Sequence, residues 1–196
     1  LEGECIGFLG LTYSGKDLLS GVLRGKLTEG KRVGTIYIDG QKIDDWEILN
    51  QKIYCLRPDN YIIEDWTVAE YLCLVNSGWS GAFWRRSMLE EEAEELFSEF
   101  DLMIDVSERM KKLSESEKRI VDIVKAYRQG AKVVIIEDEF EGMSQADIIK
   151  FGKIMHRLIA GKMGVIINSN SNFISSALLL DAQFLDFSLC FSIRKL

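Results

Sequence analysis

The sequence predicts an α/β fold: a parallel sheet flanked by helices, with a helical segment inserted between two of its strands. Three observations carry this. A short apolar run, CIGFL at 5–9, is followed at once by the glycine-bearing loop GLTYSGK and an apolar helix pattern. A continuous β-branched run, KVVIIEDE at 132–139, lacks polar alternation and so belongs to a strand buried on both faces. Between and after these stretches, strand-like and helix-like runs alternate, the order that builds a parallel sheet.

Along the chain, the strand at 5–9 leads into a helix carrying Leu18, Leu19, Val22 and Leu23. GTIYIDG (34–40) alternates and closes on Asp-Gly, a turn signal. KIYCL (52–56) reads as a further strand. Thr67 caps the helix VAEYLCLV, and Glu70 three residues later completes a capping box. Residues 84–100 set Met88, Ala93, Leu96, Phe97 and Phe100 among glutamates, an amphipathic helix. Ser114 caps a helix over 115–128 with Ile120, Ile123, Val124 and Tyr127 on one face. A helix at 145–160, the strand GVIIN (164–168), a helix near 173–180 and strands around 183–185 and 188–193 complete the pattern. The acidic helices over about 67–112 are expected to form a helical lobe within a single domain spanning 1–196.

Composition narrows the function classes. With 196 residues, 47% of them hydrophobic, the chain suffices for one domain with a sizeable core. Its net charge of −7 argues against nucleic acid or an anionic membrane as main partner, since both need clustered Lys and Arg. Cys5, Cys55, Cys73 and Cys190 are far apart and form no C-x-x-C pair, so reduced core thiols of a cytosolic protein are expected, with no zinc site. No secretory leader is expected. The apolar C-terminal stretch is interrupted by Asp181 and Asp186, too short and too charged to span a bilayer. The single histidine, His156, sits mid-helix and reads as a structural or surface residue.

The stretch GLTYSGKDL (10–18) carries the first candidate chemistry. A phosphate-binding loop has the form G-x-x-x-x-G-K followed by Ser or Thr. Gly10, Gly15 and Lys16 fall into place, between a strand and a helix as the motif requires. In such a loop successive backbone N–H groups and a helix N-terminus face the phosphates, and the lysine bridges the β- and γ-phosphates. The candidate nucleotide-binding set is therefore Gly10, Thr12, Tyr13, Ser14, Gly15, Lys16, Asp17 and Leu18. Asp17 stands where a hydroxyl normally ligates Mg²⁺. A carboxylate can hold that ion too, but it repels phosphate unless the metal lies between them. Tyr13 is a second departure, a bulky side chain in mid-loop.

GECIGFLGLTYSGKDLL, GTIYIDGQKI, DWTVAEYL, KLSESEKRIVDIVKA and KVVIIEDEFEGMS, in this order and near this spacing, resemble the nucleotide-binding domain of ABC transporters, most closely the ATPases of bacterial sugar importers. The resemblance covers essentially the whole chain. It implies a P-loop NTPase sheet with an inserted helical subdomain, and ATP and Mg²⁺ as cofactors. It also implies about two strands before the loop, with an adenine-stacking aromatic, that this sequence does not carry. The second phosphate-site strand of the family ends in Asp-Glu, one acid holding Mg²⁺ and the next polarising the attacking water. Two registers are open here. One gives Glu137 and Asp138, with Glu137 beside Asp17 as metal ligand; the other gives Asp138 and Glu139. The first is preferred because Met143 and Ser144 then fall on the family's Leu-Asp. The signature normally reads Leu-Ser-Gly-Gly-Gln and binds the γ-phosphate across a dimer interface. Leu113-Ser114-Glu115-Ser116-Glu117 stands in its place, keeping Ser114 but setting Glu115 and Glu117 near a site built for negative charge. Arg57 and Pro58 occupy the place of the metal-linking glutamine, and Asn168, Ser169, Asn170 and Ser171 that of the switch histidine.

The fold-making parts of the family are thus present, while the hydroxyl, glutamine, signature glycines and histidine are replaced. The expectation is a degenerate cassette that binds ATP with weak or no hydrolysis, paired with a second nucleotide-binding domain and, through a membrane permease, held at the inner face of the cell membrane. The alternatives are a scaffold or regulatory module without nucleotide, and an unusual but active ATPase. A P-loop kinase would not explain LSESEKRIVDIVKA beside the acidic strand. SGWSGAFWRR (77–86) sets Trp79, Phe83 and Trp84 beside Arg85 and Arg86, the composition of a partner contact.

Overall fold

A computed structural model describes residues 2–10, 14–23, 34–57, 61–74, 85–137, 143–169 and 183–186, with backbone alone at Leu9, Asp17, Leu74 and 183–186. The chain divides into two compact units, Leu1–Pro58 with Ala131–Leu196, and Asp59–Gly130. The first unit opens with β1 (Cys5–Leu9), α1 (Lys16–Leu23), β2 (Ile36–Ile38), β3 (Gln41–Ile43), α2 (Trp46–Lys52) and β4 (Ile53–Leu56). The second carries α3 (Val68–Leu74), α4 (Arg86–Glu99), a short 3-10 turn at Met110–Lys112 and α5 (Glu115–Arg128). The chain then re-enters the first for β5 (Val133–Glu137), α6 (Gln145–Ala160), β6 (Gly164–Ser169) and β7 (Gln183–Asp186). The expected helix near 173–180 and strand at 188–193, the aromatic cluster at 79–84 and Cys190 lie outside the described residues.

The main sheet runs in the order β4-β5-β6-β1-β7 with every pairing parallel. Its central strands are apolar up to their carboxyl ends because both faces are covered, and Val134, Ile135, Ile136 and Val165 are fully buried. One face packs Phe8, Ile53, Val133, Ile135 and Ile166 with Ile43 and Leu49, so the β2–β3 hairpin and α2 close over it. The hairpin turns on Asp39 (φ 52°) and Gly40 (φ 72°), two consecutive left-handed residues, the turn whose twist suits paired strands. α6 buries Ile148, Phe151, Ile154, Met155 and Leu158 and packs against β6.

Two readings of the sequence need correction here. Residues 46–52 form α2, which the apolar pattern did not announce; Lys52 ends this helix and does not begin the strand. Met88 is exposed, and Leu89 holds the inward position with Ala93 and Phe97. Positions 89, 93 and 97 recur every four residues, and 88 lies about 100° away from that stripe.

In the helical unit, α3 is fixed by the expected capping box. The Thr67 amide donates to Glu70 Oε2 (2.8 Å) and the Glu70 amide to Thr67 Oγ1 (3.2 Å). The unit is wider than the 67–112 stretch, since α3 and α4 both pack on α5. Between α3 and α5 lies a buried polar group. Tyr71 donates its hydroxyl proton to Asp122 Oδ1 (2.6 Å), while Lys125 Nζ donates to the Tyr71 oxygen (2.9 Å) and reaches Asp122 Oδ1 (3.3 Å). The Lys125 ammonium also lies 4.0 Å from the Tyr71 ring centre.

Cys5, Cys55 and Cys73 are free thiols, as their spacing implies. Burial pushes the Cys5 thiol from its ordinary 9.0 up to about 11. A raised value in the folded state means the unfolded chain releases its proton first. The contribution is therefore fully present below 9.0 and lost as pH rises towards about 11. Urea titrations at a series of pH values should show stability falling across that window, with a shallower fall in Cys5→Ala. Equal slopes in the two proteins would contradict this.

Candidate functional site

In a parallel α/β sheet, ligand groups collect beyond the carboxyl ends of the strands. Here β1 runs into Gly10, the loop and α1; β4 ends just before Arg57; β5 ends at Glu137; β6 ends at Asn168 and Ser169. The parallel register sets Glu137 beside Asn168, and Asn168 beside Phe8. The chemistry-bearing positions from four strands thus share one end of the sheet.

Gly15 has φ 97°, a backbone that L side chains rarely adopt, and its carbonyl accepts from the Leu19 amide (3.2 Å) as α1 begins. The turn delivers Lys16 to the first helical position, where it is 1% exposed. Its ammonium is therefore withdrawn from solvent, where a charge is held only by polar or charged partners. Ser14 is 6% exposed, and its buried Oγ has no hydrogen-bond partner among the described residues. An orphaned buried hydroxyl is the kind of group that a bound anion would satisfy.

Ser20 follows Lys16 by one helical turn and is fully buried. It donates to Glu137 Oε1. The other carboxylate oxygen, Oε2, holds the Arg57 guanidinium at Nε–O 3.4 Å. Both oxygens of Glu137 are thus engaged by donors from α1 and from the segment after β4. Ser20 escaped the sequence reading because it stands outside the loop motif; its four-residue spacing from Lys16, which places both on one helix face, was the available signal.

The other expected site residues are distributed as follows. Gly10 is buried at the end of β1. Asp17 contributes backbone to the first turn of α1, and Leu18 beside it is 57% exposed. Thr12, Tyr13, Asp138 and Glu139 lie outside the described residues. Ser114 and Glu115 belong to the helical unit. There Glu117 turns back on its own helix: its Oε2 accepts from the Ser114 amide (2.9 Å), and the Glu117 amide donates to Ser114 Oγ (3.3 Å). Glu115 pairs with Lys118 at 2.8 Å. Both glutamates have local roles at the start of α5, consistent with acids favouring helix N-termini. His156 is exposed, in keeping with a surface role. Among the described residues no group of three or more His, Cys, Asp or Glu is placed to hold a metal ion, and no helix is long and apolar enough to cross a membrane.

Comparison with known proteins places this geometry. Residues 1–140 match the family described as ABC transporter. The chain is 29% identical over 160 residues to the ribose import ATP-binding protein of Oceanobacillus iheyensis, covering 80% of this chain and 32% of that one. It is 26% identical over 157 residues to the xylose import ATP-binding protein of Geobacillus kaustophilus, covering 79% and 31%. The chain thus spans about a third of the length of these curated relatives. A nucleotide-free ATP-binding cassette from an ABC transporter superposes with a TM-score of 0.73 at 18% identity, covering 96% of this chain and 79% of that one.

Proposed function

This chain belongs to the ABC transporter family, and on that footing we propose that it is an ATP-binding cassette that holds ATP with little or no hydrolysis, as a component of a sugar importer. The observation that carries the reading is the loop: Lys16 withdrawn from solvent beside a buried Ser14 hydroxyl that has no partner among the described residues. The cargo class rests on relatives whose names specify ribose and xylose import. The partners follow from the same reading: a second cassette supplying the signature that Lys16 requires, and a permease subunit at the inner face of the membrane.

The impaired turnover rests on residue chemistry. Arg57 stands for a metal-linking glutamine, the signature glycines are Glu115 and Ser116, and asparagine and serine replace the switch histidine. General-base and water-positioning groups contribute about 10²–10⁴-fold each, so several losses together leave little hydrolysis.

The test is equilibrium binding of ATP and ADP to the purified chain, followed by phosphate release with Mg²⁺ present. Micromolar binding without phosphate release above background is expected. Rapid release would make the chain an active ATPase. Absence of binding up to millimolar ATP would favour a fold retained for contacts alone.

A further inference from the structure

The fold's customary divalent cation fits poorly at Glu137. One oxygen of this carboxylate accepts from Ser20, and the other carries the Arg57 guanidinium at 3.4 Å. A divalent ion placed on Oε2 would meet that guanidinium, and like charges at such range repel strongly. We infer that Arg57 takes the place of the cation, so that this site binds a nucleoside triphosphate without a divalent metal.

The inference rests on the nucleotide-binding reading above and extends it. A bare carboxylate at the end of β5 would repel phosphate, and a metal-using site solves this by putting the ion between the two. Here a fixed guanidinium neutralises Glu137 from within the chain. The Arg57 side chain is 36% exposed against 17% for Glu137, so the cation is the more open member of the pair. A guanidinium carries its five N–H donors in a planar fork, a geometry that matches phosphate oxygens as well as a carboxylate. Ser20 holds the opposite side of the carboxylate and fixes where the pair sits. With Lys16 from α1, the strand ends then present two cations contributed by the protein itself.

Binding of ATP by the full 196-residue chain, measured by calorimetry in excess Mg²⁺ and again in EDTA, tests this. The expected result is affinities within about threefold of each other, where a metal-requiring site would lose tenfold or more. In Arg57→Gln, binding in EDTA should weaken by about tenfold, the scale of a lost charge-assisted contact, with Mg²⁺ restoring part of it. Arg57→Lys keeps the charge but not the fork and should fall between them; it also serves if the glutamine variant fails to fold, as thermal melts would reveal. Wild-type binding that appears only with Mg²⁺ would overturn the inference and leave the nucleotide reading standing. Absence of binding in both conditions would overturn the two together.

Discussion

Replacing Lys16 with alanine is expected to weaken ATP binding by about a hundredfold or more. Truncating one member of a desolvated charge pair costs about 2–5 kcal/mol, and Lys16 at 1% exposure would meet its anion out of water. The loss should lie in dissociation rather than association, since a buried contact acts after encounter. Lys16→Arg should recover little, because a longer, planar head must enter a slot that already encloses the ammonium. Titration with ATP, alongside thermal melts showing that the variant folds, checks this. An affinity unchanged by Lys16→Ala would mean that nucleotide binds elsewhere on the chain, and the loop would lose its assignment.

Asp122→Ala is expected to destabilise the protein by about 3–5 kcal/mol, the cost of removing one partner from a buried charge pair. Asp122 is 1% exposed and accepts from both Tyr71 and Lys125. Burial pulls the Lys125 ammonium below its ordinary range, and the Asp122 carboxylate is what opposes that pull. Without the carboxylate, the folded protein binds the Lys125 proton still more weakly than the unfolded chain does. Stability of the variant should then rise with pH as the alkaline range is approached, narrowing its deficit. Asp122→Asn, which keeps an acceptor for the Tyr71 hydroxyl, should lose less. Urea denaturation at neutral and alkaline pH gives both quantities. A deficit below about 1 kcal/mol would show that the triad adds nothing beyond ordinary hydrogen bonding.

Much of this fold was legible in the sequence, and the exceptions have physical causes. Long apolar runs such as Val133–Ile136 announce buried parallel strands, and Ser114 with Glu117 announces a helix start; both signals are local. α2 was missed because only Leu49 of its seven residues is buried, so no apolar stripe exists to read. Its cap was visible all the same: Asp45 accepts from the Glu47 amide at 2.7 Å. At the site, the loop motif gives Lys16 and its neighbours, since backbone conformation there follows from adjacent residues. The pairing of Glu137 with Arg57 and Ser20 depends on three chain segments brought together by the sheet order, and no local pattern encodes it. Met88 and Leu89 are adjacent apolar residues, and the four-residue spacing of Leu89 with Ala93 and Phe97 marks which of the two turns inward.

The strand order also fixes a timetable. β1 is made well before its neighbours, β6 and β7, with Cys5 set against Val165 and Ile6 against Gln183. At synthesis rates of about 5–20 residues per second, the opening strand and its loop wait on the order of ten seconds for either flank to leave the ribosome. The helical unit, contiguous from Asp59 to Gly130, has no such wait and can assemble while β1 still lacks both neighbours. Until β6 emerges, the nascent chain therefore carries an apolar strand with two open edges, a state in which chaperone capture or strand exchange between chains competes with correct closure.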